Sequence, residues 1–265
     1  VCLYPFWYVI CASFSRSTLL ISHTGALFKP VGFSVAAYKN VFENRSIWIG
    51  YGNTIFYVVV GKVVNIVMTV LGAYFLSRKN VPGQKIILMM IMFTMYFSGG
   101  MIPGFLNIQS LGLYDNRLAL ILPGAISTFN LIIMRTAMAS IDASMEESAR
   151  LDGANHFTIL FKIMLPLTKA TVAVLVLYYG VAHWNSWFNA MIYLEDKMKE
   201  PLQLVLRQIL IINDMADMAV GEDTEMISET IKHATIIVST VPILALYPFL
   251  QKYFVKGMMV GAVKG

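Results

Sequence analysis

Stretches without charged side chains divide the chain. Residues 86–114, 118–134, 170–194 and 233–251 contain no Asp, Glu, Lys or Arg, and 51–77 is interrupted only by Lys62. A shorter apolar stretch opens the chain at 1–14. In hydrocarbon every backbone polar group needs an internal partner, so apolar runs of about 20 residues form helices that cross about 30 Å. The pattern predicts six segments, near 1–14, 51–77, 86–106, 118–141, 168–192 and 230–251. The last five have spanning length. The first is short, which predicts a truncated helix whose start lies upstream of Val1. A signal-peptide core is the alternative, but no A-x-A cleavage site follows it.

The connections set the orientation. The link 78–85 holds Arg78, Lys79 and Lys85 and no acid, and the tail holds Lys252, Lys256 and Lys264 and no acid. The positive-inside rule puts both, together with the segment 142–167, in the cytoplasm. Two long outer loops remain, 15–50 and 193–229. The first carries Arg16, Lys29, Lys39 and Arg45, but long loops follow the rule poorly. The second is acidic, and its apolar piece 201–210 reads equally as an interfacial helix or as a docking surface for an external partner.

Composition narrows the class. Of 265 residues, 57% are hydrophobic and 13% charged, against about 25% charged in ordinary globular domains. Mean hydropathy is +0.67. Twenty basic and 15 acidic side chains cannot give a soluble fold its charged skin. The bilayer is therefore the first partner, and the fold class is an all-α polytopic transmembrane bundle. A net charge of +5 without a basic stripe argues against nucleic acid. Cys2 and Cys11 on one helix lie too far apart to bridge, and the four histidines are scattered, so no zinc-type spacing exists.

One polar insert, 142–166, separates two apolar segments. Ser144 and Glu147 fit a capping box that starts a short helix running to about Leu151. Gly153 can take the left-handed conformation that ends it. Asn155 can cap a second short helix, which Pro166 closes. Ala149, Leu151, Ala154 and Phe157 would form a small apolar knob open to another protein. A DNA-reading helix-turn-helix pinned between spans could hardly reach a major groove. A plain interfacial linker would have the same spacing.

This insert resembles the EAA loop of binding-protein-dependent ABC importer permeases: E-A-A, three residues, Gly, nine residues, Ile, one residue, Leu-Pro. The chain has Glu147-Ser148-Ala149, Gly153, Ile163 and Leu165-Pro166 with every gap kept; Ser148 replaces the middle Ala. Asn185-Ser186-Trp187-Phe188-Asn189 and the C-terminal tail resemble the carbohydrate branch, similar to the maltose permease G subunit and lipoprotein-linked polysaccharide permeases. The resemblance implies a type I importer permease fold in a bacterial inner membrane. It implies a second homologous permease subunit, two ATPase subunits and an extracytoplasmic solute-binding protein as partners. It also implies an oligosaccharide cargo moved by alternating access. Residues 1–50 would then form the first helix and an outer loop, and 51–265 the permease core, with the coupling loop at 142–166, an outer loop at 193–229 and a tail at 252–265. ATPase coupling would fall to Glu147, Ser148, Ala149, Asp152, Gly153, Ala154, Phe157, Ile163, Leu165 and Pro166. Binding-protein contact would fall to Gln203, Arg207, Gln208 and Asn213.

The remaining residues fit. No G-x-x-x-x-G-K-[ST] is present, so the expectation is no enzyme and no cofactor in this chain, with ATP and Mg held by the partner ATPases. A secondary sugar transporter or channel is the alternative, but a proton-coupled carrier normally keeps Asp or Glu in its spans, and the five complete spans have neither. A polytopic membrane enzyme would need paired carboxylates or a metal triad there, and none is seen. Candidate pathway residues are Lys62, Asn65, Asn130, Tyr178, Trp184, Asn185 and Asn189, where aromatic faces suit sugar rings and amides suit hydroxyls. An interfacial aromatic belt is the plainer reading of Trp187. Lys62 would favour an acidic sugar such as an alginate or pectin fragment if it lines a wet cavity.

Overall fold

The computed structural model describes residues 3–78, 81–219 and 230–245, with side chains at all of these except 212–219. Regular structure among them is entirely helical: α1 (Tyr4–Ser13), α2 (Ser17–Ile21), α3 (Ala36–Glu43), α4 (Arg45–Ser77), α5 (Gln84–Tyr96), α6 (Met101–Ser110), α7 (Thr128–Ala139), α8 (Ala143–Leu151), α9 (His156–Leu167), α10 (Lys169–Trp184), α11 (Phe188–Tyr193), α12 (Leu202–Ala219) and α13 (Thr230–Ala245). Lys79, the end of the last apolar segment beyond 245 and the tail 252–265 lie outside the described residues.

Each of the six apolar segments carries helix, but continuity differs from expectation. Among the described residues only α4, 33 residues long, is long and apolar enough to cross a bilayer by itself. The segment 86–106 is not one rod: α5 and α6 meet at a bend of 114°. The break falls at 97–100, where Gly100 has φ 89°, a conformation that L side chains resist. The segment 118–141 is also interrupted. A 3₁₀ turn at Arg117–Leu120 precedes Pro123-Gly124, and helix resumes only at Thr128, capped by the Ser127 side chain. Proline removes a backbone donor and glycine weakens helix, so hydropathy alone overestimates the rod.

The chain forms two compact units. One holds residues 3–55 with 185–219 and 230–245; the other holds 56–78 with 81–184. In the first, Cys11, Ala12, Leu20 and Leu27 form a buried cluster, and Cys11 is a free thiol. The stretch before α12 is tied to α4 there. Asn53 Nδ2 donates to the carbonyls of Met198 (2.8 Å) and Glu200 (3.0 Å), and Thr54 Oγ1 accepts from Leu202 N (2.8 Å). In the second unit, Val70, Ala73 and Leu76 of α4 pack with Leu131, Met134 and Met138 of α7, Ile159, Leu160 and Met164 of α9, and Leu175 and Tyr179 of α10. Lipid tails are as apolar as these side chains, so close packing over small residues such as Ala73 supplies the cohesion. α5 buries no residue in this chain, and Met89, Met90 and Phe93 are among its exposed side chains. Such a surface suits lipid or a neighbouring membrane helix and not water.

Candidate functional site

The polar insert folds as two short helices around a tight turn. α8 begins at Asp142, whose Oδ1 accepts from Ser144 N at 3.0 Å. The expected box built on Ser144 and Glu147 is therefore not the cap; the helix starts two residues earlier than that reading requires. Accepting the Ser144 N–H also holds the Asp142 carboxyl below its ordinary range. α8 ends at Leu151, and Gly153 turns the chain at φ 79°. Asn155 Oδ1 then caps α9 by accepting from Thr158 N at 2.8 Å. α9 widens into a π-helical turn at Ile159–Met164 and ends just past Pro166, where the chain bends by 84° into α10.

The loop residues divide into an outer and an inner set. Glu147, Ser148, Asp152, Gly153, Phe157 and Pro166 are exposed. Ala149, Ala154 and Leu165 pack against the core of the unit, and Ile163 is half-buried. The knob expected from Ala149, Leu151, Ala154 and Phe157 is thus split. Leu151 (89% exposed) and Phe157 (66%) stand outward, and the two alanines face the protein because their small size lets α8 lie close to it.

The inner set carries charge. Glu146, adjacent to Glu147, is half-buried and forms ion pairs with Arg78 and with Arg150, the latter at 2.8 Å and four residues on. Arg78 directly follows α4. Its guanidinium lies 4.7 Å from the centroid of the Tyr74 ring, and its own burial lowers its pKa from the usual arginine value. Tyr74 OH is hydrogen-bonded to His156 Nδ1 at 3.0 Å, at the start of α9. A cavity of 220 Å³ between these groups is lined by Arg78, Asp142, Glu146, Glu147 and Arg150 over Met138 and Met164. The sequence placed Arg78 only in the basic link 78–85 and assigned no role in the loop to Glu146, Tyr74 or His156. The i,i+4 pairing of Glu146 with Arg150 was the one local signal.

A second polar group lies along α4. Asn65 is fully buried; its Nδ2 donates to the Gly124 carbonyl at 2.6 Å, which fixes the amide with Oδ1 toward His183. His183 Nε2 lies 2.6 Å from that oxygen and must carry the proton. Beside it, Thr69 Oγ1 and Tyr179 OH share a hydrogen bond of 2.7 Å, and Tyr179 OH accepts from Ser127 N at 3.1 Å. These bonds hold the interrupted stretch before α7 against α4. Asn65 is thus committed to protein partners. Of the other expected pathway residues, Lys62 is half-buried and makes no ion pair among the described residues, Asn130 is buried, and Tyr178 is 37% exposed with its ring 6.4 Å from that of Phe129. Trp184 is 8% exposed; Asn185 and Asn189 are exposed and belong to the other compact unit.

Within the segment 193–229, α12 buries Leu202, Leu204, Val205 and Leu206 in its own unit. Arg207 lies 4.3 Å from the Trp187 ring centroid and donates to Met191 Sδ, and Gln208 donates to Glu200 at 3.1 Å. Gln203 is half-buried, and the side chain of Asn213 lies outside the described residues. Among the described residues no group of His, Cys, Asp and Glu has the geometry to hold a metal ion.

The described residues form a helical chain with apolar segments long enough in part to cross a membrane and an ordered polar two-helix loop between two of them, which defines the class as a helical membrane protein. Residues 46–260 match the family described as the binding-protein-dependent transport system inner membrane component, and the chain belongs to it. Among its relatives are the polygalacturonan/rhamnogalacturonan transport system permease protein YtcP of Bacillus subtilis (strain 168), 43% identical over 100% of this chain and 93% of the relative, and protein LplC of the same organism, 43% identical over 98% and 89%. The structure superposes with a TM-score of 0.87 and 38% identity on a chain of a bacterial ABC transporter that imports the acidic polysaccharide alginate, covering 96% of this chain and 91% of the other. The fold is that of a type I ABC importer permease, a transport component and not an enzyme. The alternative of a carrier or channel without an ATPase does not fit this family.

Proposed function

We propose that this chain is one of two homologous permease subunits of an ATP-driven importer for an acidic oligosaccharide in a bacterial inner membrane. An extracytoplasmic solute-binding protein delivers the sugar, and two separate ATPase subunits, which hold ATP and Mg, seat against the outer set of the loop 142–166. The observation that carries this reading is the loop itself. It is a two-helix elbow whose exposed Glu147, Ser148, Asp152, Leu151 and Phe157 combine a charged rim with two exposed apolar side chains. That composition is typical of a protein contact and gains nothing from water. The acidic cargo is supported by relatives whose names specify galacturonan and alginate. It is also supported by Lys62, a cation in the long spanning helix that is costly to leave facing lipid.

The test is reconstitution of both permeases, the ATPases and the binding protein in lipid nanodiscs. ATP hydrolysis should rise with oligogalacturonate or oligoalginate and not with neutral maltooligosaccharide. Equal stimulation by the neutral sugar would remove the acidic assignment. Failure of any ATPase to copurify would remove the importer reading.

A further inference from the structure

Two adjacent carboxylates in the loop border the same cavity but differ in burial and in partners. Glu147 is exposed and makes no ion pair among the described residues. Glu146 points in, its side chain 13% exposed, and holds Arg78, whose side chain is 14% exposed. The two halves of the elbow then reach the same place. α8 is joined to Arg78 through Glu146, and α9 is joined to Tyr74 through His156. Tyr74 and Arg78 are four residues apart at the very end of α4, linked to one another by the guanidinium-over-ring contact, and Ser77 Oγ accepts from Arg78 Nε at 3.2 Å. The last turn of α4 is further held by Gln84 and by Arg135, whose Nε donates to the Leu76 carbonyl at 3.2 Å.

We propose that the Arg78–Glu146 pair, seconded by Tyr74–His156, is a clamp that makes the loop and α4 move as one body, so that force received at the outer face is delivered to the spanning helix. The proposal rests on the importer reading above and names the positioning residues within this chain that it requires. The physical reason lies in the kind of contact. The apolar packing of Ile159, Leu160 and Met164 holds α9 to the core but is non-directional, so it can slide. A charge-assisted hydrogen bond between largely buried groups, backed by a cation–π contact, fixes direction as well as distance. From Ser77 back to Lys62, α4 is regular α-helix over 16 residues, a rod of about 24 Å. At its far end lies the π-helical turn Tyr57–Gly61, beside the Asn65–His183 bond. A displacement of the elbow therefore arrives at the polar group on α4 instead of being lost at the membrane surface. Glu146 and Arg78 touch no cargo; they act through α4.

The experiment measures sugar taken up per ATP hydrolysed in the reconstituted full complex. Arg78→Glu and Glu146→Arg should each lower that ratio by about tenfold, the scale of coupling through one local contact, while the ATPases stay bound. The double charge exchange should restore it. Single variants with the wild-type ratio, or an assembled double variant that stays uncoupled, would overturn the clamp. If the exchange variant does not assemble, Arg78→Lys and Arg78→Gln decide: the lysine must retain more of the ratio than the glutamine, and equal ratios refute the proposal. Glu147→Lys separates the two readings, since it should release the ATPases and leave the inner pair intact. ATPases absent from the wild-type complex would fault the importer assignment and not the clamp alone.

Discussion

Gly61 and His183 offer the sharpest test of the packing around α4. A Cβ added at Gly61 would sit 2.6 Å from both Cε1 and Nε2 of His183 and 3.2 Å from Cδ2. The overlap with ordinary van der Waals contact is close to 1 Å, and overpacking of this kind costs about 1–3 kcal/mol. The imidazole can escape only by leaving Asn65, which orphans a buried carbonyl oxygen at about 1–3 kcal/mol. Against this, alanine in place of glycine favours helix by about 1 kcal/mol. Gly61→Ala should therefore destabilise the chain by about 2 kcal/mol when His183 is present and stabilise it slightly in a His183→Ala background. The resulting non-additivity is about 2–3 kcal/mol, the upper part of the range for contacting pairs. The assay is a double-mutant cycle read by SDS titration in mixed micelles. Equal effects of Gly61→Ala in the two backgrounds, within about 0.5 kcal/mol, would refute the claim that the glycine is there to admit the ring.

Three further outcomes follow from local geometry. Gly50→Ala should destabilise the chain by about 1–3 kcal/mol in the same titration, because its Cβ would meet the Leu202 backbone Cα at 3.0 Å, which cannot swing aside. Gly153→Val should lower sugar uptake per ATP without loss of assembled complex. No atom lies within 4 Å of its Cβ, so the penalty is backbone strain at φ 79° alone, and Gly153→Asn, which tolerates that region, should retain most coupling. The Asp142 cap has a lowered carboxyl pKa, so its contribution is fully present above the ordinary aspartate value and is lost only as pH falls through the lower folded one. Hydrogen exchange at Ser144 N–H should therefore stay protected across neutral and mildly acid pH in the wild type and in Asp142→Asn, and lose protection in Asp142→Ala.

The elbow was legible where the chemistry is local. Gly153 needed only its missing Cβ, Asn155 only its carbonyl one turn from Thr158, and Pro166 only its missing N–H. The start of α8 was misread because Asp142 and Ser144 are both good caps, and the choice between them depends on where α7 lets the chain go. The breaks at 97–100 and 121–127 were written in the sequence as Gly99-Gly100 and Pro123-Gly124, but a hydropathy window averages such residues away.

The charge-free runs and the spaced motif determined by themselves that this is a helical membrane bundle with one polar elbow, because hydrocarbon leaves helix as the only solution for such runs. Which way each side chain of that elbow points was decided only by the tertiary structure. Glu146 and Glu147 are chemically identical neighbours, and a helix turns them about 100° apart; the residue that follows α4, Arg78, pairs with Glu146, while Glu147 stays exposed with no ion pair among the described residues. In the same way Asn65, read as a pathway group, became a strut because folding brought His183 and Gly124 to it from 118 and 59 residues away. A polar side chain in a dry interior is assigned its role by the partners that packing delivers.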